Sequence, residues 1–314
     1  MITREEAQSR WRGVLIPLVT PFKEDGDLDL PALRRNVQYI LDQGARLGNS
    51  IFLAAGSGGD FSVMDVEERK QVITAVAEVV GDQAPVIAGA QSCDIRECIA
   101  IGQRCADLGI DAIQISGPFY YDIRTEDLVA WMEEIARQVD VGFAIYNHWY
   151  TGTKYDMPLD VLDRLLEIPN SVGVKWASPD IDKFYAGLRR FLPKVAVVNN
   201  TFLAVEAHMR GARTFVSHVP NYYPQFCLDV WDLLEAKNYV EAREAYEAFM
   251  VPYGKIRQAI SERTAAEGVF VRPFMELVGL EGGHSRLPSR DEAVTPEIKE
   301  GIRALLSQLG AEIV

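Results

Sequence analysis

The feature that most constrains this chain is a rhythm. Short apolar runs alternate with longer amphipathic ones, recurring roughly every 25–35 residues, a spacing that suits strand–helix units. Eight runs read as strands: "GVLIPL" from Gly13, "SIFLAA" from Ser50, "PVIAGA" from Pro85, "DAIQIS" from Asp111, "VGFAIY" from Val141, "SVGVK" from Ser171, "VAVVN" from Val195 and "RTFVS" from Arg213. Each is short and nearly uniformly apolar, the pattern of a parallel strand covered on both faces. The helices between them have legible starts. Asp29 precedes "LPALRRNVQYILDQGA", Asp65 opens "VEERKQVITAVAEVV", and Asp94 opens "IRECIAIGQRCADLG". Thr125 opens "EDLVAWMEEIARQV", where Glu126 and Asp127 suit the positive end of a helix dipole.

Eight such units predict an α/β fold, a (β/α)8 TIM barrel, rather than an open doubly wound sheet. "GSGGD" at 56–60 does not match the GxGxxG turn of a dinucleotide-binding fold. Length alone, at 314 residues, suggests about two domains of ~150, but single α/β barrels commonly run to ~250. Residues 1–223 are expected to form the catalytic barrel. From Pro224 the strands stop, and "QFCLDVWDLLEAKNYVEAREAYEAFMVPYGKIRQAISE", "GVFVRPFMELVGL" and "TPEIKEGIRALLSQLG" read as helices. No low-complexity linker intervenes, so residues 224–314 are expected as a helical extension packed on the barrel.

Charge narrows the partners. With 32 basic and 45 acidic residues the net charge is −13, which argues against nucleic acid and anionic membranes. None of the four cysteines forms a CxxC pair. Cys98 and Cys105 fall inside a helical pattern and read as small buried apolar groups, the usage of a reducing compartment. The first residues are charged, with no apolar signal region, and no apolar stretch approaches ~20 residues. The expectation is a soluble cytoplasmic protein acting on a small molecule.

In such a barrel the chemistry lies at the C-terminal ends of the strands. Those ends carry Gly56–Asp60, Gly117–Tyr121, Tyr146–Trp149, Lys175-Trp176, Asn199-Asn200 and Ser217-His218. Lys175 is the only lysine among them. It either snorkels to solvent or stays in an apolar site, where its charged form is disfavoured and the neutral amine can attack a ketone. Tyr146 either fills the top layer of the barrel or moves protons for that lysine. The Gly56–Asp60 loop either is a plain turn or brings backbone N–H groups to a carboxylate or phosphate. His148 and His218 have no third ligand type beside them, so no metal site is expected.

Taken together these stations resemble the dihydrodipicolinate synthase / N-acetylneuraminate lyase superfamily of class I, Schiff-base aldolases and lyases. "GVLIPLVTPFKEDGDLDLPALRRNVQYILDQG" resembles its opening strand, loop and helix. "GSGGDFSVMDVEERKQVI" resembles its Gly-Thr-Thr-Gly-Glu loop and the following helix start. "GPFYY", "YN" and "VGVKWAS" resemble its Pro-Tyr-Tyr, Tyr-Asn-x-Pro and Gly-Ile-Lys-Glu-Ala-Ser stations. The resemblance covers essentially the whole chain, in order and spacing.

It implies that Lys175 is the Schiff-base lysine and that Tyr146 is the general acid/base that also positions the substrate carboxylate. It implies that Ser57 supplies a hydroxyl to the proton relay, while Gly58 stands on a second threonine and offers only its N–H. Tyr120 falls on the tyrosine that family tetramers insert into a neighbour's site; Phe119 or Tyr121 takes that place if the alignment slips by one. Gly56, Ser57, Gly58, Asn147, His148, Trp176 and Ser217 are the expected substrate contacts. No cofactor is expected beyond the covalent imine, and the assembly implied is a homotetramer or dimer.

The departures concern the second substrate. Tyr146-Asn147-His148-Trp149-Tyr150-Thr151-Gly152 lacks the family's proline and the arginine that grips a carboxylate. Trp176 replaces a carboxylate, and Asp60 replaces a glutamate. The 2-oxo acid half of the chemistry is expected to remain, with an aldehyde as the second partner. The alternatives are a hydratase-aldolase for aromatic substrates, in which His148, Trp149 and Trp176 form an aromatic wall rather than loop packing, and a 2-keto-3-deoxy sugar acid aldolase or dehydratase. An orthodox synthase is disfavoured by the missing arginine, and a non-catalytic 2-oxo acid binding protein is the rival of a different class.

Overall fold

Eight short strands pair in sequence order and close into a barrel: β1 (Gly13–Pro17), β2 (Ser50–Ala54), β3 (Val86–Gly89), β4 (Ala112–Ile115), β5 (Gly142–Tyr146), β6 (Ser171–Trp176), β7 (Ala196–Asn199) and β8 (Thr214–Val216). The structure, a computed structural model, describes residues 1–149 and 155–314. All neighbours are parallel, and β8 pairs back onto β1. Helix α1 (Arg4–Arg10) precedes the barrel. Helices α2 (Leu30–Asp42), α3 (Val66–Val80), α4 (Ile95–Asp107), α5 (Thr125–Gln138), α6 (Leu159–Glu167), α7 (Ile181–Phe191) and α8 (Ala204–Met209) link successive strands.

The α9 helix (Pro224–Glu235) follows β8 and packs on β1, completing the outer ring. The added helices are α10 (Tyr239–Ser261), α11 (Arg272–Leu277) and α12 (Pro296–Gln308). The α9 helix also packs on α10, so it joins the barrel to the helices that follow.

The starts of these helices follow from their caps. Asp29 accepts from the Ala32 N–H, Asp94 accepts from the Arg96 N–H, and Asp65 with Glu68 forms a reciprocal capping box. Thr125 is instead the first helical residue of α5, with Arg124 before it in extended conformation.

Small and branched side chains fill the barrel interior, among them Leu15, Ile51, Leu53, Ile87, Ala144, Ala196 and Val198. Trp11 closes the end from which the strands start, its indole N–H donating to Asp111 Oδ2 at 3.1 Å. The outward strand faces bury against the helices in a second, larger cluster.

One irregularity decides which side chain enters the site. Strands β5 and β6 pair Phe143 with Ser171 but Ala144 with Gly173, so Val172 is the extra residue of a β-bulge. The bulge resets the alternation. Val172 packs inside the barrel, whereas Val174 and Trp176 both pack against the helices. Lys175, between those two, points in. Gly173 makes the bulge fit, because a Cβ there would stand 2.4 Å from the Trp11 ring.

No helix of the described residues is long and apolar enough to cross a membrane. Cys98, Cys105 and Cys227 are buried, and burial pushes each thiol up to about 12.

Candidate active site

A cavity of about 410 Å³ opens at the C-terminal end of the barrel. Its floor and walls include Ser57, Gly58, Lys175, Ser217, His218, Arg257 and Glu267. A second chamber of about 250 Å³ shares Ser57 and Glu267 with it and adds His148, Phe119 and Asp60.

Lys175 is 5% exposed, and among the described residues no carboxylate stands within ion-pairing distance of it. Burial disfavours its ammonium, the Glu267 carboxylate only partly offsets this, and the amine is brought down to about 8. Its Nζ lies 4.3 Å from the centroid of the Tyr146 ring, on the strand register that pairs Tyr146 with Lys175. Tyr146 is buried, and its hydroxyl lies 3.5 Å from Asn200 Nδ2.

The Ser57–Gly58 loop lines the same cavity as Lys175. Two non-glycine residues in left-handed conformation bracket it, Ala55 (φ 48°) and Asp60 (φ 54°). Such residues cost of order 1–2 kcal/mol each and persist only where their surroundings over-determine them. For Asp60 those surroundings are explicit. Its carboxylate accepts from Arg272 Nη2 at 2.7 Å and from the Gly268 N–H at 3.2 Å, both buried. Asp60 thus ties the loop to the segment that carries Glu267.

Several expected contacts stand elsewhere. Trp176 is fully buried on the outer face of β6. Its ring packs edge-on to Phe191, a Cβ on Gly187 would come within 2.5 Å of it, and its N–H donates to the Phe184 carbonyl at 2.9 Å. The expectation that Trp176 contacts substrate is therefore corrected: successive strand residues face opposite ways, and Lys175 takes the inward position.

Asn147 likewise spends its side chain on the protein. Its Nδ2 donates to Asp156 Oδ1 and the Ala177 carbonyl, both at 2.7 Å, and its Oδ1 accepts from the Met157 N–H at 3.0 Å. Its own N–H donates to the Lys175 carbonyl at 3.2 Å, so it braces the lysine's strand end rather than lining the cavity.

His148 stacks at 4.8 Å on the Tyr146 ring and lines the second chamber. Burial and the Lys175 charge, against Glu267, bring it down to about 4, so it is neutral at pH 7. Gly56 is buried behind the loop, its carbonyl accepting from the Gly59 N–H at 3.0 Å. Ser217 reaches the cavity, with its hydroxyl accepting from the Val219 N–H at 3.2 Å. Tyr120 is 77% exposed on the β4–α5 loop and lines neither chamber of its own chain. Tyr150, Thr151 and Gly152 lie outside the described residues.

Glu267 and Arg257 are the residues that the sequence did not single out. They come from α10 and the turn after it, far along the chain from any strand end. Burial pushes the Glu267 carboxyl up, but His218, Arg257 and Lys175 around it prevail and hold it at about 2. Among the described residues no cluster of three or more His, Cys, Asp or Glu side chains is placed to hold a metal.

A buried amine of lowered pKa at the end of β6, a phenol beneath it and a strained loop lining the same cavity are the stations that the sequence resemblance implied. A family model described as the dihydrodipicolinate synthetase family matches residues 10–309. The chain belongs to this family. Its relatives include 4-hydroxy-tetrahydrodipicolinate synthase of Methanosarcina mazei, 29% identical over 280 residues, or 88% of this chain and 92% of that protein. Among solved structures it resembles a dihydrodipicolinate synthase from Acinetobacter baumannii complexed with pyruvate, with a TM-score of 0.85 and 27% identity over 96% of this chain and 99% of that one. N-acetylneuraminate lyase from Fusobacterium nucleatum shares the fold, with a TM-score of 0.81 and 20% identity over 95% and 98% of the two chains. As a dihydrodipicolinate synthetase family member, the protein is a lyase of the aldolase type on a TIM barrel.

Proposed function

We propose that this lyase condenses Lys175 with the ketone of pyruvate or a related 2-oxo acid, and makes or breaks a C–C bond, or eliminates water, next to the imine carbon. The observation that carries this reading is the amine itself: Lys175 is buried, lowered to about 8, and lies over Tyr146 at the wall of the cavity. A neutral amine adds to the carbonyl carbon, and the carbinolamine then loses water to give a protonated imine. Tyr146 is the phenol within reach for those proton movements. The Ser57–Gly58 backbone offers N–H groups to the carboxylate of the same substrate. The imine is the electron sink, so the reaction calls on no dissociable cofactor.

The cavity leaves space for a second partner. Beyond Lys175 its walls are Trp149, Ile181, Phe184, Phe202, Leu203 and Met250, an apolar surface for the body of an aldehyde. We further read the exposed Phe119–Tyr121 corner as the surface that meets a second copy of the chain, in a homotetramer or dimer.

A turnover screen tests this function. Pyruvate is paired with aliphatic, sugar-derived and aromatic aldehydes, and products are read by mass. The expected result is product with at least one class and none with Lys175→Arg. Binding of 2-oxo acid by calorimetry with no product from any class would favour a non-catalytic binding protein instead.

A further inference from the structure

His218 has no place in the chemistry so far, yet it is the most deliberately seated polar group of the cavity. It leaves β8 directly after Ser217, and its side chain is 90% buried by virtue of a relative exposure of only 10%. Among the described residues its buried Nε2 has no hydrogen-bond partner. Unpartnered buried nitrogens are uncommon enough to need an explanation. The imidazole occupies the space directly over Gly58: a Cβ on that glycine would stand 2.8 Å from Nε2 and 3.0 Å from Pro17. A loop residue with any side chain would therefore exclude the ring. On its other side Glu267 Oε2 lies 3.6 Å from the same nitrogen, an ion-pair distance rather than a hydrogen bond.

We propose that His218 is a second proton-transfer residue of this site, contacting the 2-oxo acid half of the substrate through Nε2 from the space above Gly58. This rests on the imine reading of Lys175. An imine becomes a nucleophile only when C3 loses a proton. In the step assigned here, Nε2 of neutral His218 takes that proton. The C3–H electron pair becomes the C2=C3 bond, and the C2=N pair moves onto nitrogen and discharges the iminium. The imidazolium so formed stands beside the ionised Glu267. When C3 is later protonated the proton returns from Nε2, so the cycle needs no other reagent.

The charged groups around the ring fit this task. Burial lowers the pKa of His218, and Arg257 from α10 and Lys175 from β6 lower it further, while Glu267 from the turn after α10 raises it. The ring is therefore neutral and able to accept at pH 7, with a carboxylate in place to stabilise the product of acceptance.

The test separates imine formation from proton transfer. Exchange of the pyruvate methyl protons in D2O is followed by NMR at saturating pyruvate, and borohydride trapping on Lys175 is followed by mass spectrometry. His218→Asn should keep trapping while exchange slows about a hundredfold or more. Exchange within about threefold of wild type, with trapping intact, overturns the proposal. Failure of the wild-type enzyme to trap overturns the imine reading itself, and the two failures are thus distinct.

A second variant leaves the imidazole in place. Glu267→Gln removes the charge that raises the His218 pKa, so the acid limb of the exchange–pH profile should move to lower pH. At saturating pyruvate Lys175 is already in the imine and does not contribute that limb. A limb that stays where it is also overturns the proposal, because a merely structural Glu267 would not move it.

Discussion

Trp176 is the position where a sequence reading and the structure make opposite predictions, so its replacement is informative. The indole is fully buried between β6 and α7, its N–H satisfied by the Phe184 carbonyl. Truncating a buried Trp to Ala costs about 3–5 kcal/mol. Gly187 beneath the ring has no side chain with which to refill the hole, and the Phe184 carbonyl loses its donor, worth a further ~1 kcal/mol. The loss should fall at about 4–6 kcal/mol. With an unfolding entropy of ~2.1 cal/mol/K per residue, a chain of 314 residues should melt about 6–9 °C lower. Differential scanning calorimetry of Trp176→Ala measures this directly. The milder Trp176→Phe keeps a ring in the layer and should leave the ranking of aldehydes unchanged, because the ring faces away from the cavity. A Trp176→Phe enzyme with wild-type stability and a tenfold change in that ranking would refute the assignment of Trp176 to the outer face.

Other expectations follow from the same geometry. Asp60→Asn leaves Arg272 buried without its counter-charge, a loss of about 3–5 kcal/mol. The single amide oxygen that remains cannot accept from both Arg272 and the Gly268 N–H next to Glu267, so kcat/KM should fall along with the melting temperature; a variant as stable as wild type contradicts the buried pair. Because only neutral Lys175 attacks, kcat/KM should rise with pH until about 8 and then level. Glu267 raises the amine's pKa, so Glu267→Gln should shift that rise to lower pH, and a rise continuing toward 10 in the wild type would contradict the desolvated amine. Tyr120→Ala, at an exposed corner, should leave the monomer fold intact by circular dichroism but weaken self-association in sedimentation velocity. An unchanged sedimentation profile would remove that corner from the interface.

Much of the architecture was legible because local signals agreed. All eight apolar runs become strands, and three of the four named caps close their helices with side-chain bonds. That Lys175 and Tyr146 stand together follows from topology, since adjacent strands of a barrel end side by side. Trp176 was misplaced because a residue beside a functional one in sequence is, on a strand, its opposite in space. The bulge at Val172 was invisible, since nothing in "SVGVKW" marks which residue is extra.

Asn147 was misread for another reason. Its partner Ala177 lies on the far side of β6, and only the fold shows that its amide is already committed to Ala177 and Asp156. Glu267 and Arg257 carried no signal at all, because helices added after the barrel have no fixed relation to the strand ends. The only clue lay in Gly58, which the family resemblance sets against a threonine, and it pointed to His218 only once the two were seen together.

The central claim is that Lys175 forms a covalent imine with a 2-oxo acid. Reductive trapping addresses it most directly. The folded enzyme is incubated with pyruvate and borohydride, digested, and mapped by mass spectrometry. The account predicts a reduced pyruvate adduct on Lys175 and on no other lysine, absent without pyruvate. Unmodified Lys175 with every 2-oxo acid tried, on protein shown to be folded, would contradict it.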